Sequence, residues 1–300
     1  MSNKWMIQDW TTGELNALVK NLGGEEVARK IQREEIKVSF EDVVKVLFDK
    51  HGRRIPDKLQ SSVCDANRDF RLDQPKLDTE TDFANRILRL HGCLSIDTKV
   101  TAEQLKTETE RLLAIIRENS QIANIANGVC LPVILPKLVT DDLGAELELY
   151  LAGVNNSYAK TFGDRKFYNH HKGTLANKVN IVDGSRYYQF VERMKQGPVS
   201  GIHFPNPLQG FSINAQREQM STLPEGFILS GLDIAIAMMM YPDILARDYN
   251  TPGLDLAALS WRSAGCSLSF RACDVKLDFN RTDGLARADA HYSGGLLFLG

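Results

Sequence analysis

The 300-residue chain carries 36 lysines and arginines against 38 aspartates and glutamates, a formal charge of -2, and 43% of its residues are hydrophobic. Those values are ordinary for a globular protein with ample core. The near balance of charge leaves no global basic field to hold nucleic-acid phosphates or an anionic membrane, which disfavours nucleic acid as a bulk partner.

The first ten residues, with Trp5, Asp9 and Trp10, lack the charged start and apolar stretch of a secretion signal. The most apolar stretch, 227–241, falls short of the roughly 18–20 residues a membrane span needs, and it contains Asp233. The expectation is a cytoplasmic protein with no membrane partner. Five scattered cysteines, Cys64, Cys93, Cys130, Cys266 and Cys273, then read as reduced thiols.

Helical signals fill the first third. Thr11 to Glu14 forms a capping-box pattern before Leu15, Leu18, Val19 and Leu22. Gly23-Gly24 breaks that helix, and Val27, Ala28 and Ile31 predict a second. Ser39 can cap a third, with Phe40, Val43, Val44, Leu47 and Phe48 as its stripe, closed by Gly52 and Pro56. Thr79 opens a helix carrying Phe83, Ile87, Leu88 and Leu90. Thr101 and Gln104 form another capping box, ahead of Leu105, Leu112, Ile115 and Ile116.

The texture changes at Gly128. Residues 129–138 form an apolar run interrupted by Pro132 and Pro136, which suits an edge strand or an extended connector better than a central strand. Helices are expected over 141–154 and 185–195, the latter ended by Gly197-Pro198. From Gly201 the chain is rich in loop residues, and Phe204 to Pro207 suits a rigid loop lining a cleft. Met238-Met239-Met240 fits a buried segment.

The C-terminal segment predicts three alternating strands and a final apolar one. Cys266, Leu268, Phe270 and Ala272 share one parity, opposite Ser267, Ser269 and Arg271. Val275, Leu277 and Phe279 alternate with Lys276, Asp278 and Asn280. Ala286, Ala288, Ala290 and Tyr292 alternate with Arg287, Asp289 and His291. The expected meander buries its apolar parity and faces its mixed polar set outward.

Three chemistries compete. The helix pair around Gly23-Gly24 suggests a helix-turn-helix, but Glu25 and Glu26 begin the second helix, where acids oppose DNA. Tyr168-Asn169-His170-His171-Lys172 is the densest histidine site, and His203 is its one candidate partner through the fold. Adjacent histidines diverge on a helix or a strand, so an exposed polar loop is the simpler reading. No nucleophile elbow, zinc-protease helix, phosphate loop or Rossmann glycine pattern is present, which argues against an enzyme.

Ser267, Ser269, Arg271, Cys273, Asp274, Asn280, Arg281, Asp289, His291 and Ser293, framed by Trp261-Arg262-Ser263 and 294–299, resemble the variable C-type-lectin-like domains rewritten by diversity-generating retroelements. In that family, rewriting at adenines alters outward positions on a sheet whose apolar frame stays fixed. The resemblance implies an α+β chain with a helical region over 1–127, divisible into 1–55 and 56–127. A C-type-lectin-like domain over 128–300 would follow, ending in an antiparallel β-meander. It implies non-enzymatic recognition of a protein or other macromolecular ligand, without cofactor or metal. The ligand-binding set adds Lys276, Asp278 and Arg287 to the ten positions above. The alternatives are a cytoplasmic helix-turn-helix DNA-binding regulator, or an enzyme with a cleft near His170, His171 and His203.

Overall fold

The computed structural model describes residues 10–39, 44–65 and 70–300. Contacts divide the chain into two units, Met1–Val44 and Lys45–Gly300. The first unit holds helices α1 (Thr12–Asn21) and α2 (Glu25–Gln32). Thr11 and Glu14 form the capping box of α1, and Gly23 and Gly24 turn the chain at φ of 99° and 97°, a region that favours glycine. Neither helix has a buried residue. The third expected helix does not form over its described part. Val44, Leu47 and Phe48 are non-helical, and Phe48 instead bridges Arg54 across the turn at Gly52. Phe40 and Val43 lie outside the described residues.

The second unit is α+β. Helices α3 (Glu80–Leu94), α4 (Ala102–Glu118) and α5 (Leu143–Phe162) precede the expected short α6 (Tyr187–Gln196). Then come α7 (Ile213–Gln219), α8 (Leu232–Met240) and α9 (Pro242–Leu245). Thr79 with Asp82 and Thr101 with Gln104 build reciprocal capping boxes on α3 and α4. The Thr101 hydroxyl accepts from the Gln104 N–H at 3.1 Å, so Thr101→Ala is expected to cost about 1 kcal/mol in chemical denaturation. An unchanged midpoint would refute this role for the cap. Leu88 and Ile115, expected in the buried stripes, are exposed.

The strands are β1 (Leu131–Leu135), β2 (Lys166–Asn169), β3 (Val179–Ile181), β4 (Val199–Phe204), β5 (Phe227–Leu229) and β6 (Gly253–Asp255). They continue with β7 (Leu259–Trp261), β8 (Cys266–Cys273), β9 (Lys276–Asp283), β10 (Tyr292–Gly294) and β11 (Leu296–Phe298). One sheet is antiparallel in the order β1-β4-β11-β5, with the proline-bearing β1 at its edge. A second sheet runs β10-β6-β8-β9-β2, parallel at both outer pairs, and β3 pairs with β7. Only Gly295 separates β10 in one sheet from β11 in the other.

Helix α8 is apolar all round and wholly buried, packing against α5, α3, β1 and β4. Gly153 of α5 permits the approach, because a Cβ there would overlap the Met239 sulfur. The C-terminal meander is a correction. The β8–β9 hairpin forms, but 284–291 is a loop, and β10 pairs parallel with β6 rather than antiparallel with β9. Val275, expected inside, sits 71% exposed in the hairpin turn.

All five cysteines are free thiols. Cys266 and Cys273 end β8 about 23 Å apart at the rise of an extended strand, too far to bridge. Burial pushes the Cys130 thiol up to about 12. Alkylation of denatured protein should label five thiols, while native protein should leave Cys93 and Cys130 protected. A Cys266–Cys273 disulfide would overturn this arrangement.

Among the described residues, no helix is long and apolar enough to cross a membrane.

Candidate functional site

The β8–β9 hairpin sets the site by its register. Phe270 faces Phe279 and Ala272 faces Leu277 on the buried side, while Arg271 faces Asp278 and Ser269 faces Asn280 on the other. Leu268, Phe270, Leu277 and Phe279 are buried as the alternation requires. The opposite face is covered around Ser267 and Ser269. Ser267, expected outside, is wholly buried, and its hydroxyl donates to the carbonyls of Leu256 and Leu259 at 3.1 Å. Ser269 is buried and accepts from the Thr282 hydroxyl at 2.9 Å. Helix α7 closes this half, with Gln216 over Gly294 and its amide donating to Asp255 at 3.1 Å. Ser293 is buried here too. The parity of these serines is as expected; their exposure is not, because the 256–259 segment and α7 pack over them.

The uncovered half carries a continuous polar and aromatic patch. Tyr168 of β2 lies beside Asp278 in register, and the Lys276 ammonium sits 5.7 Å from the Tyr168 ring. Asp278 takes an ion pair from Lys276 at 2.6 Å and contacts His170 at 3.2 Å. Next to them the Arg271 guanidinium lies 5.7 Å from the ring of Tyr249, whose N–H donates to Asp274 at 3.1 Å. Tyr249 meets His291 edge-on at 4.9 Å, and His291 also lies 5.9 Å from Tyr292 and stacks on Phe70 at 3.9 Å. Tyr168 and Tyr249 are each 44% exposed. Lys276 and Arg271 are half-buried. His291, expected outside, is buried as a packing ring; burial, then the charge of Arg271, hold its pKa below the usual range. Asp289 caps the loop by accepting from the His291 N–H at 2.9 Å.

The other expected residues surround the patch. Cys273 is half-buried beside Lys276, and Asp274 is exposed in the hairpin turn. Arg281 pairs with Asp283 at 2.9 Å, Asn280 faces the His171 ring at 3.2 Å, and Arg287 is exposed in the 284–291 loop. Sequence reasoning missed Tyr168, Tyr249 and Tyr292 as a group because they come from three distant stretches. The inward Phe167 beside the outward Tyr168 was the one local signal.

No known protein family, no curated protein and no solved structure matches the chain.

The histidines do not converge. His171 is buried against Trp261, with ring centroids 4.5 Å apart, while His170 stays with Asp278. His203 lies in the other sheet, wholly buried, with Nδ1 3.0 Å from Asp233 and 3.3 Å from the Ser230 hydroxyl. A serine hydrolase needs the carboxylate and the nucleophile on opposite ring nitrogens. Here both meet Nδ1, and Nε2 is buried without a partner. Burial pushes the Asp233 carboxyl up, but hydrogen bonds from His203 and Gly231, with the attraction of His203, hold it below the usual range. Tyr187 completes the network, its hydroxyl accepting from the Leu232 N–H at 2.6 Å. Among the described residues, no group of three or more His, Cys, Asp or Glu side chains could hold a metal.

A separate cleft of about 1000 Å³ lies between residues of 49–65 and 70–74 and Asn206, Gln209 and Phe211. Asn206 places the Phe204–Pro207 loop on this cleft, as the sequence suggests.

Proposed function

We propose that the chain is a non-enzymatic recognition protein whose ligand docks on the uncovered half of the five-stranded sheet. The observation that carries this reading is the patch that Tyr168, Tyr249 and Tyr292, from three separate stretches, form around Arg271 and Lys276 of the β8–β9 hairpin. Tyrosine and arginine dominate the binding energy of macromolecular interfaces, because they offer large contact area with few rotors and a polar end. Within this proposal, residues 128–300 form a C-type-lectin-like variant. Its fixed frame is Leu268, Phe270, Leu277 and Phe279, and its changeable positions are Arg271, Cys273, Asp274, Lys276, Asp278, Asn280, Arg281, Arg287 and Asp289. The buried Ser267, Ser269, His291 and Ser293 leave the ligand set. A template repeat and a reverse-transcriptase frame beside the gene would support this ancestry, and their absence would remove it.

The DNA-reading alternative is weakened by α2 itself. Arg29 pairs with Glu25 at 2.5 Å and Lys30 with Glu26 at 3.2 Å, so its own acids occupy these cations.

A triple variant, Tyr168→Ser, Tyr249→Ser and Arg271→Ser, tests the reading. The changes at the exposed Tyr168 and Tyr249 should each move stability by no more than about 0.5 kcal/mol, and Arg271 is half-buried, so folding of the variant is checked by its melting curve before binding is compared. Parent and variant, immobilised side by side, are exposed to host extract. A species retained by the parent and lost by the folded variant is the expected outcome. Retention of the same species by both would refute this face as the site.

A further inference from the structure

Arg271 is a cation without an anion. It projects from the middle of the hairpin, yet no carboxylate among the described residues lies within ion-pairing distance of it. Its cross-strand neighbour Asp278 is taken by Lys276 and His170. The other nearby acids are committed to backbone, Asp274 to the Tyr249 N–H and Asp289 to the His291 N–H. Arg271 Nε is buried with no hydrogen-bond acceptor, and so is Nε2 of His291 beside it. Tyr249 lies against the guanidinium, which also hydrogen-bonds the Tyr292 side chain, and its charge reaches His291. A half-buried arginine steadied by rings and lacking a carboxylate presents a planar fork of donors already in place.

We propose that Arg271 anchors a carboxylate side chain of the ligand, so that the partner is an acidic peptide segment whose carboxylate lies against Arg271 between Tyr249 and Tyr292. This rests on the recognition reading above. Arginine binds a carboxylate through two parallel N–H···O bonds, and flanking rings exclude water from the pair. Asp274, Asp278 and Asp289 rim the position and repel a second acid, so one carboxylate per anchor is accepted and a polyanion such as nucleic acid is not. Lys276, paired to Asp278, contributes little net charge.

The test uses the full chain and two synthetic probes, an acetylated, amidated tetrapeptide with one glutamate among glycines and its glutamine counterpart. Each is titrated into isotope-labelled protein while the arginine side-chain N–H signals are followed. The glutamate peptide should shift the Arg271 Nε–H signal, and the glutamine peptide should not at the same concentration. Arg271→Gln should weaken the glutamate peptide by roughly tenfold or more, as expected for a lost charged hydrogen bond. Arg271→Lys should recover only part of this, because an ammonium lacks the planar fork. Equal binding of both peptides, equal binding by Arg271→Gln, or no binding of the glutamate peptide overturns the proposal. If it is overturned while the triple variant still loses its host species, the recognition face stands and only the carboxylate assignment falls.

Discussion

Replacing Asp233 by alanine is expected to destabilise the second unit by about 3–5 kcal/mol, the range for removing one partner of a buried pair and leaving the other uncompensated. The substitution leaves His203 Nδ1 with only the Ser230 hydroxyl, 3.3 Å away, and removes the acceptor of the Gly231 N–H, 2.6 Å away. Both side chains of the pair are fully buried, so water cannot replace the lost partner. Replacing both members with leucine should cost much less than the sum of the two single alanine changes, because no unpaired polar atom of the pair is left behind. Urea midpoints of the two single variants and the double variant measure this. A single-variant loss under about 1 kcal/mol would show that the pair does not hold the fold.

Asp255 should make the protein less stable as pH rises from about 4 to about 7. Its carboxyl is buried, and burial pushes its pKa up to about 7, with Asp289 adding repulsion while Gln216 and Arg217 counteract. The unfolded chain releases this proton near pH 4, as an ordinary aspartate does. Across that window the folded state holds a proton that the unfolded state has lost, so the unfolded state gains. The cost is absent below pH 4, complete above pH 7, and about 4 kcal/mol at most. A protonated acid also suits the site, since one oxygen accepts from Gln216 while the other is buried without a partner. Asp255→Asn keeps an acceptor and supplies donors permanently. Its stability should therefore exceed the parent's above pH 7, with the gap closing toward pH 4. Parallel melting curves for parent and variant would count against a proton on Asp255.

The helices were legible because their start signals are local. Thr11 and Thr101 close the capping boxes read for them, and Thr79, read as a helix start, closes a third with Asp82. The hairpin was legible because both strands alternate strongly around Phe270 and Phe279. The alternation of Ala286, Ala288 and Ala290 misled, because alanine gives a strand too little apolar side chain to bury. The loop instead lies under Gln209, which donates to the Ala290 carbonyl at 2.9 Å. Ser267 and Ser269 kept their face but lost their exposure to α7 and the 256–259 segment, a cover that strand periodicity does not encode. His203 and Asp233 lie 30 positions apart on different elements, so only the fold reveals them as a pair.

The passage from β10 through Gly295 to β11 also sets a timetable. During synthesis the four-stranded sheet lacks a member between β4 and β5, and the proposed ligand face lacks Tyr292, until residues 292–298 have left the ribosome. Gly295 threads this stretch past His203 and Ser230, where an added Cβ would come within 2.6 Å of the imidazole and 2.8 Å of the hydroxyl. Both sheets therefore close late and nearly together, so a nascent chain halted before 292 would expose the sides of β4 and β5 to chaperones.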